Sequence, residues 1–237
     1  MSGGRWARTQ LIAHRGARTE RRENTLSAFL RALELGAEAI ELDVHATRDG
    51  IVVVHHDPTL SAEWDLLLHG RTIGSLWYGE LSAVRFPGGE RIPSLGEVLS
   101  AVDGRAETYI EIKHPGIEEL VLDVVEHSPA PERCALHAFD HRVVAHALAL
   151  RPDTPGGILL QSRLVDTVSA LRATGARDLW QWWEQIDEAL VSAVHAAGGR
   201  VIAWTVNDVA TASRLAAVGV DGVCTDDVAA LSTVLRR

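Results

Sequence analysis

Apolar positions along the chain alternate between two spacings. Short apolar runs begin near Gln10, Ala39, Glu107, Arg133, Gly156, Arg177, Arg200 and Val220. Between runs, apolar residues recur three and four apart, as at Leu26, Phe29, Leu30 and Leu33, which is the period of an amphipathic helix. Asn24 or Thr25 is a reasonable N-cap for that helix, and Gly36 stops it. The join of helix, glycine and strand then recurs at Gly175-Ala176, at Gly198-Gly199 and at Gly219 to Gly222, where GVDGVCTD echoes GAEAIELD. Such repetition predicts parallel strands linked by helical crossovers. Eight units in 237 residues predict an α/β fold of the (β/α)8 TIM-barrel type.

One stretch departs from this rhythm. After Ile40-Glu41-Leu42-Asp43-Val44, the turn Arg48-Asp49-Gly50 reverses the chain, and Ile51 to Val54 return it to His55, His56 and Asp57. Asp-Gly between two apolar runs predicts a β-hairpin after strand two. Residues 58–93, with scattered Gly and Trp, read as a short irregular excursion within a single domain covering 1–237.

Composition narrows the function. A net charge of −9 argues against nucleic acid or an anionic membrane surface as the main partner, and no apolar run is long enough to span a bilayer. Met1 to Gln10 lacks the apolar segment of a secretory leader. Cys134 and Cys224 sit in apolar runs without CxxC spacing, as expected of free thiols in the cytoplasm. The partner expected is a small molecule; the oligomeric state is not legible.

The chemistry gathers at predicted strand ends, where TIM barrels carry their sites. Glu41 and Asp43 are two apart and share one face of a strand, and so do Glu111 and Lys113. Carboxylates among aliphatics are costly to bury unless a cation joins them. Glu41, Asp43 and Glu111 converging on one mouth suit a hard divalent cation, Mg²⁺ or Ca²⁺. Arg15 and Lys113 supply the positive charge that an acidic protein needs to hold a phosphate. His14 and His56 flank the carboxylates and suit proton transfer near neutral pH. His45 shares parity with Asp43, whereas His55 and His114 fall out of phase and read as packing or surface residues. Trp180, Trp182 and Trp183 read either as a pocket wall or as packing between loop and helix.

His14-Arg15-Gly16, Glu23-Asn24-Thr25, Glu41-Leu42-Asp43-Val44 with Thr47-Arg48-Asp49-Gly50, His56-Asp57, Glu111-Ile112-Lys113 and Trp204-Thr205-Val206-Asn207 occur in this order. Together they resemble the glycerophosphodiester phosphodiesterase family over nearly the whole chain, as far as Thr225-Asp226. The resemblance implies metal-dependent hydrolysis of glycerophosphodiesters to glycerol 3-phosphate and an alcohol. It implies one divalent cation on Glu41, Asp43 and Glu111, and His14 and His56 as the acid–base pair. Arg15 and Lys113 would meet the phosphate, with Glu23 and Trp204 also on the substrate. A lysophospholipase D-like activity and a non-catalytic phosphate-binding barrel are the alternative readings. Two positions depart from the family pattern: Arg22 replaces a proline, and His137-Ala138 precedes Phe139 where serine is usual.

Overall fold

Eight parallel strands close into a barrel in the computed structural model, which describes residues 9–61, 67–86 and 88–235. The stretch before Thr9, expected to carry no secretory leader, lies outside the described residues, as do 62–66 and 87 of the excursion. The strands are β1 (Gln10–His14), β2 (Ala39–Ala46), β3 (Val52–Val54), β4 (Glu107–Ile112), β5 (Cys134–Ala138), β6 (Gly156–Leu160), β7 (Asp178–Trp182), β8 (Arg200–Trp204) and β9 (Gly222–Thr225). Neighbours run β1-β9-β8-β7-β6-β5-β4-β2, and β1 pairs with β2 to complete the circle. The predicted hairpin forms: β3 lies antiparallel to β2, with Val44 opposite Val54 and Ala46 opposite Val52. Three strands, β5, β7 and β9, start one or two residues later than their apolar runs. Pro131–Arg133 is a 3₁₀ turn ahead of β5. Asp221 precedes β9 because its carboxylate accepts the Val201 N–H at 2.7 Å and meets His195 Nε2 at 2.8 Å.

Helices α1 (Leu26–Glu34), α3 (Leu95–Val102), α4 (Glu118–Glu126), α5 (His141–Leu150), α6 (Thr167–Thr174), α7 (Glu188–Ala196), α8 (Val209–Val218) and α9 (Val228–Leu235) cover the strands; a short α2 (Tyr78–Ala83) lies in the excursion. Thr25 caps α1 by accepting the Ala28 N–H, which leaves Asn24 for another task. Alternation along each strand sorts the side chains. Ile40, Leu42 and Val44 of β2 face outward into the layer shared with the helices. Inward, each barrel strand contributes one residue to an apolar layer: Ile12, Ala39, Tyr109, Ala135, Leu159, Trp180, Ile202 and Cys224. Each large side chain in it contributes about 1.5–3 kcal/mol by burial.

Polar side chains close the barrel's N-terminal end below that layer. Tyr109 Oη donates to Gln10 Oε1 at 2.9 Å, and Gln10 Nε2 donates to Glu107 Oε2 at 3.1 Å. Arg177 reaches Asp178 at 2.7 Å and Glu107 at 3.1 Å. The excursion lacks a period but not a core: Leu60, Ile73, Leu76, Leu81, Val84 and Ile92 pack against Val53 of β3. Among the described residues no helix is long and apolar enough to cross a membrane.

Candidate active site

The opposite, C-terminal end of the barrel collects the predicted residues. His14 ends β1, and the chain then turns sharply, with Arg15 at φ +57° and Gly16 at φ +86°. A Cβ on Gly16 would stand 2.7 Å from the backbone carbonyl carbon of Ala28, so only glycine lets the turn lie against α1. The turn aims Arg15 at β2, where its N–H donates to the Glu41 carbonyl at 2.9 Å.

Asp43 is fully buried and sits among donors. Asn24 Nδ2 donates to it at 2.8 Å, Arg15 Nε lies at 3.1 Å and Lys113 Nζ at 3.2 Å. Burial pushes the Asp43 carboxyl upward, but Arg15 and Lys113 outweigh it and hold the group well below the usual carboxylate range. Glu111 stands opposite Asp43 on β4, 2.7 Å from Lys113 Nζ. Burial and repulsion from Asp43 raise its carboxyl despite that ammonium. Lys113 loses water, which favours its neutral form, yet the two carboxylates keep its pKa above the ordinary value.

From Asp43 an alternating chain of charge follows the mouth. Arg15 pairs with Glu23 at 3.0 Å, Glu23 with Arg18 at 2.7 Å, Arg18 with Asp226 at 3.3 Å, and Asp226 with His14 Nδ1 at 2.6 Å. Burial favours the neutral form of Asp226, but the bonds from His14 and Asn207 hold its pKa down to about 2. An ionised Asp226 accepts, so His14 carries its proton on Nδ1 and presents Nε2 toward Glu41 Oε2, 4.0 Å away. His56 repeats the pattern: Nδ1 lies 2.8 Å from Asp57 Oδ1, leaving Nε2 to the cavity. His45 is buried beneath it and donates from Nε2 to the His56 carbonyl at 3.1 Å, with its ring 5.5 Å from that of His114.

The cavity these groups line measures about 360 Å³. Its other wall is aromatic: Trp204 stands edge-on to both Phe139 and Trp182, with centroids 5.5 Å apart in each pair. The tryptophan cluster therefore divides: Trp180 belongs to the apolar layer, Trp182 to the mouth, and Trp183 packs against the outer core.

His137 on β5 was not singled out from sequence beyond its departure from the usual serine motif. Its Nε2 lies 3.4 Å from Glu41 Oε1, and Glu41, Glu111 and His137 each offer a ligand atom within 4.8 Å of the other two. Parity with Ala135 would have pointed it inward. Asp226, two residues beyond the inward Cys224, carries the same signal.

Residues 14–230 match the model of the glycerophosphoryl diester phosphodiesterase family. The chain belongs to this family. It is an enzyme of the glycerophosphoryl diester phosphodiesterase group by relatives that align end to end. The glycerophosphodiester phosphodiesterase of Caldanaerobacter subterraneus subsp. tengcongensis is 33% identical over 97% of this chain and 99% of its own. That of Bacillus altitudinis is 32% identical over 92% of this chain and 94% of its own. A phosphodiesterase from Oleispira antarctica, solved with the product sn-glycerol-3-phosphate, superimposes with a TM-score of 0.88 at 26% identity, covering 97% of this chain and 98% of that one.

Proposed function

We propose that the chain hydrolyses glycerophosphodiesters to sn-glycerol 3-phosphate and an alcohol, using one divalent cation and a histidine acid–base pair. The observation that carries this reading is the charge at the mouth. Among the described residues, Glu23, Asp43, Glu111 and Asp226 are ion-paired with three permanent cations, Arg15, Arg18 and Lys113, while Glu41 stands beside His14 and His137. With Asp57 beside His56, carboxylates outnumber those cations, and a divalent cation would offset part of the excess. The donors fit such an ion: Glu41 of β2 and Glu111 of β4 would hold it, with Asp43 two residues beyond Glu41 on the same strand. Bound there, it would supply Lewis acidity and a template for a phosphate oxygen.

The chain's own groups supply the rest. Arg15 and Lys113 bind the phosphodiester monoanion; Arg15 offers two parallel donors and Lys113 a point charge. Glu23, tied to both Arg15 and Arg18, fixes the guanidinium that meets the phosphate. One imidazole takes the proton of the attacking hydroxyl at Nε2, and the other protonates the departing alkoxide as its bond to phosphorus breaks. Trp204 and Phe139 press on the carbon skeleton and keep water from that side. The product held by the Oleispira phosphodiesterase supports the glycerol 3-phosphate half of the substrate. The setting proposed is cytoplasmic, in keeping with two buried free thiols, Cys134 and Cys224.

A second reading, lysophospholipase D-like cleavage, is favoured by one feature. Phe139 at the rim and Leu164 and Val165 in the loop after β6 are exposed and would meet an acyl chain. A coupled glycerol 3-phosphate assay over several headgroups, with choline release from lysophosphatidylcholine read as a separate arm, tests both readings with and without chelator. Chelator-sensitive release of glycerol 3-phosphate from glycerophosphodiesters is expected. Full turnover in chelator would remove the metal, and turnover of the lysolipid alone would select the second reading.

A further inference from the structure

We infer that His137 is a nitrogen ligand of the divalent cation, and that this chain's site therefore selects a borderline ion such as Zn²⁺ over Ca²⁺ or Mg²⁺. The inference rests on the metal-dependent reading above and deepens it. His137 is 1% exposed, and neither ring nitrogen has a hydrogen-bond partner. Its Nε2 lies 3.4 Å from Glu41 Oε1 without making a hydrogen bond. An unmade hydrogen bond on a buried polar group costs about 1–3 kcal/mol, and a bound cation would remove that cost at Nε2.

The ring is held in place by aromatic contacts instead. Tyr109 lies parallel to it at 6.3 Å, and Trp180 stands edge-on at 4.3 Å. Glu41, Glu111 and His137 come from β2, β4 and β5, three consecutive staves of the barrel, with His137 directly opposite Glu111. Their ligand atoms gather within 4.8 Å of one another, on rigid strands rather than loops. Asp43 differs: its oxygens already face Asn24, Arg15 and Lys113. Two carboxylates and one imidazole with an open side match the donor count of a catalytic Zn²⁺ site. Ca²⁺ requires six to eight oxygens, and imidazole shifts preference toward the later transition ions.

The test uses the full-length chain stripped of metal. Affinities for Zn²⁺, Co²⁺ and Ca²⁺ are measured by competition with a chelating dye in wild type, His137→Phe and His137→Gln; the Phe variant keeps a ring against Tyr109 and Trp180. Zn²⁺ and Co²⁺ affinity should fall at least about tenfold in both variants, the lower bound seen even for groups that only orient a ligand, while Ca²⁺ affinity holds. Zinc-edge X-ray absorption of the wild type, which needs no variant to fold, should show imidazole scattering. Unchanged Zn²⁺ affinity in either folded variant, or a zinc edge without imidazole, overturns the inference and leaves the metal-dependent reading standing. A wild type that binds none of the three ions, nor Mg²⁺ in the same assay, overturns both.

Discussion

Lys113→Met removes the one ammonium shared by Asp43 and Glu111 at nearly constant volume. Asp43 retains Arg15 at 3.1 Å and Asn24 at 2.8 Å. For Glu111 no other ion pair is seen among the described residues than the 2.7 Å contact being deleted, so most of the cost falls on Glu111. Stripping one partner from a buried pair costs about 3–5 kcal/mol. With Lys113 16% exposed and Glu111 10% exposed at their side chains, the lower end, about 3 kcal/mol, applies. For a chain of this length that lowers Tm by about 6 °C. The cost must also depend on pH. Burial and Asp43 already raise the Glu111 carboxyl above its ordinary 4.5, and losing Lys113 raises it further. A carboxyl whose folded pKa lies above its unfolded value favours folding below the unfolded value and loses that contribution as pH rises through the folded one. The gap between variant and wild type should therefore be small near pH 4.5 and full near pH 8. Urea unfolding of the metal-free proteins at both pH values, followed by circular dichroism, reads it directly, and added divalent cation should restore much of the loss at pH 8. Equal stability at pH 8, or an equal deficit at both pH values, would refute the reasoning.

Three further outcomes are expected. His14→Ala and His56→Ala should each lower kcat by about 10²–10⁴-fold with a normal melt; a variant retaining near-normal kcat leaves the proton-transfer scheme without that residue. Gly16→Ala should destabilise by about 2–4 kcal/mol, because a left-handed residue gains a Cβ that meets α1 backbone, and a melt within a degree of wild type would contradict this. Burial holds His55 down to about 4, so the unfolded chain binds its proton first. Stability should fall by about 3 kcal/mol as pH drops from 6.5 to 4, and a His55→Gln variant with the same acid loss would assign that slope elsewhere.

Much of the barrel was legible because β2 declares itself twice. Its alternation separates Ile40, Leu42 and Val44 from Glu41 and Asp43, and the Asp49-Gly50 turn sends the chain back along it as β3. The gathering of His14, Arg15, Glu41, Asp43, Glu111 and Lys113 at one mouth came from parity plus fold. Other features depended on contacts across strands that periodicity does not carry. His137 matters because register sets it against Glu111, and a departure from a serine motif conceals that. Asp226 lies 212 residues from His14 in the chain. Asn24 and Thr25 were both candidates for the cap until the contacts gave it to Thr25 and placed Asn24 on Asp43. The excursion looked irregular because Leu60, Ile73, Leu76 and Leu81 reach their common neighbour Val53 from turns, a single 3₁₀ turn and the six-residue α2, none long enough to show a period.

The apolar layer of Ile12, Tyr109, Trp180 and their neighbours has a consequence beyond cohesion: it works as an insulating partition. Glu107 at one end of β4 and Glu111 four positions along are separated by about 13 Å at 3.3 Å per residue, beyond the roughly 7–10 Å within which substitutions interact. The ionic plug of Glu107, Arg177 and Asp178, with Arg200 3.8 Å from both Glu107 and Asp178, is therefore only weakly coupled to substitutions at the mouth. Altering the mouth to accept a different headgroup or ion is then an operation on one end of the molecule, with the other left to act as its foundation.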